Sequence, residues 1–264
     1  MKFAGIIAEY DPFHNGHAWQ LAQAKALGAE RVAVAMSCSL VQRGALPLLP
    51  EAVRTRSALT CGADLVFALP APCACAGAEA FARAGVALLA AAGCDGLVFG
   101  AETPDAALLM EAAELLDSAP YRAALKAQLA GGARSFAAAR QAAAAKLASD
   151  ERVAALLDKP NNNLAVEYCR AIRSLAPRME AYPLPRQGAN HGEALHSAHG
   201  QFASASALRK LWAEGGADAV APYVPEAVFP LYQEAYAAGQ YTDFSAAGRC
   251  ELALLRSACR GKAP

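Results

Sequence analysis

The sequence predicts an α/β fold, a Rossmann-like doubly wound parallel sheet with a helical insertion and a helical C-terminal part. Three observations predict it. Short apolar runs alternate with segments of helical period as far as Phe99, the pattern of strands covered on both faces by crossover helices. The first run passes directly into a turn, Asp11-Pro12-Phe13-His14-Asn15-Gly16-His17, that opens a helix. The stretch from Pro104 to Arg173 then reads as almost wholly helical before one more strand returns.

Taken in order, Phe3 to Ala8 is a buried-type strand, and Pro12 breaks the run. Ala18, Leu21, Ala22 and Ala24 recur at helical spacing, so a helix covers His17 to Leu27. A strand at Arg31 to Met36, a helix around Ala52 to Cys61, a strand at Leu65 to Ala68, a helix at Ala78 to Ala91 and a strand at Leu97 to Phe99 continue the alternation. The helical stretch breaks at Pro120 and Gly131-Gly132; its alanine-rich part keeps charges at helical intervals, and alanine is the best helix former. A strand at Met179 to Pro183 returns to the sheet, and a helix starts at Ser204. Residues 1–103 thus form the first part of the sheet domain and 104–175 the insertion. Residues 176–212 return to the sheet, and 213–264 form the helical C-terminal segment.

The turn carries the chemistry. A helix start presents orphan N–H groups and the positive end of the helix dipole, and Gly16 has no Cβ to block an anion. His14 and His17 add donors, so H-x-G-H reads as a triphosphate site. Its imidazoles stabilise charge that develops as pyrophosphate leaves, with no covalent enzyme intermediate. On the tetrad alone, the alternative is a polar loop with two surface histidines. A second segment, Ser204-Ala205-Ser206-Ala207-Leu208-Arg209-Lys210, has the form S-x-S-x-x-R-K. Structurally, Ser204 or Ser206 is a good N-cap and the cations are ordinary helix-surface residues. Functionally, the serines and helix start form a second anion-binding end, and Arg209 clamps the β- and γ-phosphates bidentately. Both readings hold together.

Composition fits a compact cytoplasmic enzyme. The chain has 264 residues, 55% hydrophobic and 18% charged, with 24 basic and 24 acidic side chains. That balance is not the footprint of bulk electrostatic binding to RNA, so any RNA contact is a local patch. Arg43, Arg54 and Arg56 form one candidate and Arg170, Arg173 and Arg178 another, with solvated helix faces as the plainer account of each. Of eight cysteines only Cys73 and Cys75 are close and no C-x-x-C occurs, so reduced core thiols are expected and no metal site. No apolar run reaches the ~20 residues needed to span a bilayer, and no targeting segment precedes the first strand.

The His-x-G-His turn and S-x-S-x-x-R-K together resemble the signature pair of the H-I-G-H superfamily of nucleotidyltransferases and aminoacyl-tRNA synthetases. Further blocks arrive in order: M-S-C-S-L-V-Q-R-G from Met36, G-A-D-L-V-F-A-L-P from Gly62, G-L-V-F-G-A-E from Gly96, P-N-N-N-L-A-V-E-Y from Pro160 and R-Q-G-A-N-H from Arg186. With these the chain resembles the tRNA(Met) cytidine acetate ligase family. The resemblance implies an enzyme of the H-I-G-H nucleotidyltransferase fold that activates acetate with ATP and Mg²⁺ to acetyl-AMP, then acetylates N4 of the wobble cytidine of elongator tRNA(Met). It places the ATP site on the stretch Ile7, Ala8, Glu9, Tyr10, Asp11, Pro12, Phe13, His14, Asn15, Gly16, His17, Ala18, Trp19 and Gln20. To these it adds Gly100, Asn162, Arg186, Ser204, Ser206 and Arg209. His14, His17 and Arg209 are the implied catalytic residues.

Each later position has a physical rationale beside a plainer one. Gly100 lets adenosine lie against a strand end, or is a simple turn glycine; Asn162 offers its amide to ribose or base, or belongs to an ordinary helix start. Arg186 pairs with phosphate, or is a solvated loop arginine. In the loop from Pro185 to Gly200, His196 and His199 have a metal-compatible spacing, but the Gly-, Ser- and Ala-rich composition with His191 favours a mobile lid over the nucleotide. The chain departs from the family pattern at Cys38 where M-S-G is usual, at Ala45-Leu46 for E-P, and at Glu51-Ala52 for a lysine-tryptophan pair. These changes fall on the acceptor or acyl-transfer side. The sequence ends at Pro264, where the family continues with a substantial C-terminal region, so part of the RNA-binding apparatus is expected to be missing. Two other readings stand beside the ligase. One is a small-molecule adenylyltransferase that passes AMP to a phosphate-bearing acceptor; the other is a nucleotide- or RNA-binding homologue that has lost transfer.

Overall fold

A computed structural model of the chain describes residues 1–42, 44–186 and 202–260. Its centre is a five-stranded sheet of β1 (Phe3–Ala8), β2 (Arg31–Ser37), β3 (Leu65–Leu69), β4 (Gly96–Ala101) and β5 (Glu180–Pro185) in the order β3-β2-β1-β4-β5. All pairings are parallel. The order reverses between β1 and β4, the switch point at whose carboxyl side open α/β sheets bind ligands. β1 pairs with β2 along its whole length, Phe3 opposite Arg31 through Ala8 opposite Met36. It pairs with β4 only at Ala4 opposite Gly96 and Gly5 opposite Leu97. Beyond those residues the two strands part, and the side-chain amide of Gln20 donates to the carbonyl of Val98 at 3.1 Å.

Alternation along the strands divides the core. On one face Ala33, Ala35, Leu97 and Phe99 lie in a cluster with side chains of α4 (Ala78–Ala91), α5 (Ala106–Asp117) and α9 (Pro160–Leu175). On the other, Ala4, Ile6, Val34, Met36 and Val98 join residues of α1 (Asn15–Ala26), α2 (Glu51–Thr60), α10 (Ala205–Val220) and α11 (Phe229–Ala237). Helix α4 lies so close to β1 that a Cβ at Gly85 would meet Ile7 Cδ1 at 2.5 Å. A short α3 (Ala71–Ala74) precedes α4, and α12 (Phe244–Arg260) closes the described chain.

The helices after β4 share their core with the sheet. Leu109 of α5, Ala143 of α7 (Phe136–Ala145) and Val153 of α8 (Glu151–Leu156) belong to the same cluster as Phe99, while α9 packs on α4 and β4. Residues 104–175 therefore make up the crossover from β4 to β5. Their starts follow capping chemistry: Asp105, Ser118, Ser135 and Asp150 each accept a hydrogen bond from a first-turn N–H, Ser118 and Ser135 heading α6 (Ala119–Ala130) and α7.

Two arginine clusters differ from the RNA patches suggested by spacing. Arg54 is fully buried, because its guanidinium donates to the carbonyls of Leu49 (3.0 Å), Glu9 (2.7 Å), Ser37 (2.6 Å) and Cys38. It holds the ends of β1 and β2 to the start of α2 and cannot face a nucleic acid. Arg170 bonds Asp117 at 2.8 Å and the buried Glu167 at 2.7 Å, and Arg173 approaches Glu114 at 3.6 Å. Arg43 lies outside the described residues. The described cysteines are free thiols, with Cys38, Cys94 and Cys169 buried. No helix among the described residues is long and apolar enough to cross a membrane.

Candidate functional site

A cavity of about 410 Å³ opens where β1 and β4 part. Its walls come from the ends of β1, β4 and β5 and from the first turns of α1, α9 and α10. Helix α1 starts at Asn15, two residues before the helix read from sequence, because His14 acts as its N-cap in an extended conformation (φ −148°, ψ 176°). The His14 Nδ1 accepts the N–H of Gly16 at 3.0 Å, and the His17 Nδ1 accepts the N–H of His14 at 3.3 Å. The two rings stack with centroids 3.8 Å apart.

That arrangement fixes the protonation chemistry. Burial, reinforced by the charge of Arg186, brings the His14 pKa down to about 3. Burial, then the neighbouring His14, then Arg186 hold His17 well below its ordinary value. Both imidazoles are therefore neutral near pH 7. A neutral imidazole whose Nδ1 accepts carries its proton on Nε2, so each ring retains one N–H donor. Gly16 is needed for this arrangement because a Cβ there would meet the His14 ring at 2.9 Å. Tyr10, in the left-handed region at φ 49°, and Phe13 are buried and pack against His17 with centroids at 4.8 and 5.6 Å.

The start of α10 lines the same cavity, through Ser204 and Ala205. Ser204 caps α10, its hydroxyl accepting from the N–H of Ala207 at 3.3 Å and lying 3.1 Å from the Ser206 hydroxyl. Arg209 donates through Nη1 to the Asp11 carbonyl at 2.6 Å and to Asp11 Oδ2 at 3.1 Å, while Asp11 Oδ1 accepts the N–H of Leu48 at 2.6 Å. Asp11 thus links the α1 approach, α10 and the loop before α2.

Of the positions expected from sequence, Ile7 through Asp11, His14, Gly16, His17, Trp19, Gln20, Gly100, Arg186 and Ser204 line the cavity. Pro12, Phe13, Asn15, Ala18, Asn162, Ser206 and Arg209 are not among its lining residues. Asn162 is buried, its amide spent on Thr103: Oδ1 accepts the Thr103 N–H at 2.9 Å and Nδ2 donates to its hydroxyl at 3.1 Å. Its neighbour Asn161 reaches the cavity and accepts from Arg186 Nη1 at 2.7 Å. Sequence reasoning gave no role to Asn161, Glu102, Leu164 or Tyr168, although all four sit inside blocks it had singled out; Asn161, Leu164 and Tyr168 line the cavity. Cys38 is buried off the cavity, where its thiol donates to the Met36 carbonyl at 3.3 Å and burial pushes its pKa up to about 11. His191, His196 and His199, with the lid and metal readings that rest on them, lie outside the described residues. Among the described residues, no three His, Cys, Asp or Glu side chains gather as a metal site.

Comparison with known proteins follows the same lines. Residues 1–257 match the family described as HIGH Nucleotidyl Transferase. A tRNA(Met) cytidine acetate ligase of Syntrophotalea carbinolica is 41% identical over 218 residues, covering 81% of this chain and 52% of the relative. One of Caldanaerobacter subterraneus subsp. tengcongensis is 36% identical over 244 residues, covering 91% and 60%. The crystal structure of Thermotoga maritima TmcAL bound with alpha-thio ATP superposes with a TM-score of 0.83 at 30% identity, over 91% of this chain and 57% of that one. The chain therefore spans between about half and three-fifths of the length of these relatives.

Proposed function

The chain belongs to the HIGH nucleotidyl transferase family, and from that premise we propose that it activates acetate with ATP to acetyl-AMP and passes the acetyl group to N4 of the wobble cytidine of elongator tRNA(Met). The observation that carries the proposal is the pair of neutral imidazoles at the α1 N-terminus, opposite the α10 N-terminus on the same cavity. Helix ends and Nε2–H groups suit a triphosphate. Gly100, Leu184 and Pro185 offer adenosine a largely apolar wall.

In the first step an acetate oxygen attacks the α-phosphorus in line. The bond from that phosphorus to the bridging oxygen breaks, and pyrophosphate departs with the electron pair. His14 and His17 donate to oxygens that gain charge in this displacement, and the α10 N-terminus receives the leaving group. In the second step the cytidine N4 attacks the acetyl carbonyl carbon, AMP leaves, and the N4 proton passes to the leaving phosphate or to solvent. Mg²⁺, when bound, would supply charge neutralisation at the phosphates. The cavity's own carboxylates are engaged, Glu9 with the N–H of Gln42 and Asp11 with Leu48 and Arg209, so this ion would be held chiefly by phosphate oxygens and water. The site is read as lying in the cytoplasm, where ATP and tRNA are found.

Acetate-dependent exchange of pyrophosphate into ATP tests the first step, and the mass of tRNA after incubation with ATP and acetate tests the second. Exchange that needs a phosphorylated acceptor instead of acetate would favour a small-molecule adenylyltransferase. Because the imidazoles act on the transition state, His17→Ala is expected to lower kcat for adenylate formation by ~10² or more with a smaller effect on ATP affinity. Near-normal turnover in that variant would remove the assignment.

A further inference from the structure

Three side chains form a relay at the cavity mouth that neither the family motifs nor the proposed chemistry assigns. Glu102 follows β4 and closes the N-terminus of α9: Oε1 accepts the N–H of Asn161 at 3.2 Å and its Nδ2–H at 2.6 Å, and Oε2 accepts the N–H of Asn162 at 2.7 Å. Pro160, the first residue of α9, has no N–H, so the carboxylate takes up the next two first-turn donors. This helix end is thereby closed to a phosphate.

The carboxylate also decides which way the Asn161 amide points. With Nδ2 committed to Glu102, Oδ1 is turned outward, where it accepts from Arg186 Nη1 at 2.7 Å. The Arg186 stem passes beside Gly100, whose missing Cβ would stand 3.5 Å from its Cγ. The cation is near enough to both imidazoles to depress their protonation.

We propose that Glu102 is a positioning residue, acting through Asn161 to hold the Arg186 guanidinium over the two histidines where it meets the nucleotide's phosphates. The proposal rests on the ATP-dependent reading above. Without Glu102 the exposed arginine has no anchor on α9, and its long side chain would be free to leave the mouth. Glu102→Ala is the sharpest change, because it removes both acceptors. The Asn161 Nδ2 then has no carboxylate to hold it, and the amide is free to turn over and present a donor to Arg186.

The test is a double-mutant cycle on ATP binding with Glu102→Ala, Arg186→Ala and the pair. Glu102→Ala should weaken ATP ~10-fold with adenosine affinity unchanged, and should add nothing once Arg186 is alanine. Asn161→Ala, which leaves the Glu102 cap on the main-chain N–H groups, should reproduce the ATP loss if the Glu102 variant folds poorly. Additive losses in the cycle, or a wild-type ATP affinity in both variants, would overturn the proposal. A crystal structure of ligand-free Glu102→Ala separates the relay from the functional reading. Arg186 released from residue 161 supports the relay even if the wild-type protein binds no ATP, and Arg186 still seated there refutes it.

Discussion

At the scale of single residues the H-x-G-H spacing announces an anion site, but not how its rings are used. Both Nδ1 atoms are consumed by backbone N–H groups of their own turn, which only the fold reveals. Asn161 and Asn162 teach the same lesson. They differ by one position, about 100° around a helix, so one amide reaches the cavity and the other is buried on Thr103. No spacing argument separates them. Arg209 was expected to clamp phosphate, and the structure ties it to Asp11 through Nη1 alone. Its Nε and Nη2 have no hydrogen-bond partner among the described residues, which leaves donors for a β- or γ-phosphate. Arg209→Lys keeps the charge but loses the planar fork, so ATP affinity should fall severalfold while AMP affinity stays nearly unchanged. Equal losses for both nucleotides in a calorimetric titration would make Arg209 a structural residue.

At the scale of elements, the strands and sheet-covering helices were legible because their periodicities differ and their ends carry proline, glycine or capping residues. The joints between elements were not. Arg54 looks in sequence like a solvated cation of α2, yet it is the clamp that ties two strand ends to that helix through four main-chain carbonyls. Nothing in its neighbours Val53 and Thr55 signals a guanidinium turned inward. Arg54→Met keeps much of the volume and leaves those carbonyls without donors, so it should destabilise the fold by about 3 kcal/mol or more. A shift of the urea midpoint checks this, and an unchanged midpoint would show that water replaces the guanidinium. The clamp sits directly behind Glu9, so the cavity wall should loosen with it.

For the whole molecule, the fold class follows from the alternation of elements, whereas the strand order and the shared core of residues 104–175 needed the three-dimensional packing. Acid sensitivity is a property at this scale. The unfolded chain takes up protons on His14 and His17 near their ordinary pKa of 6.5, and the native protein resists until far lower, about 3 for His14. Their folded pKa values are depressed, so the stability they contribute is fully present above pH 6.5 and is lost as pH falls below it. The slope is at most about 1.4 kcal/mol per pH unit for each group. Urea midpoints at pH 6.5 and 5 should therefore drop, and His14→Gln should flatten the drop; an equal drop in both proteins would place the acid sensitivity elsewhere.

The parting of β1 from β4 gives the sheet two leaves, one of three strands and one of two, joined by two residue pairs, the Gln20 side chain and the hydrogen bonds of Asp95 to Lys2 and Phe3. Mechanically, that seam is the weakest joint of the sheet, since its ladder is the shortest of the four strand pairings and opening or twisting along it breaks no ladder bonds beyond Gly5 and Leu97. The histidines ride on the larger leaf, and Gly100 and Arg186 on the smaller. A nucleotide that touches both would act as a clasp, stiffening a joint that the strands themselves leave compliant.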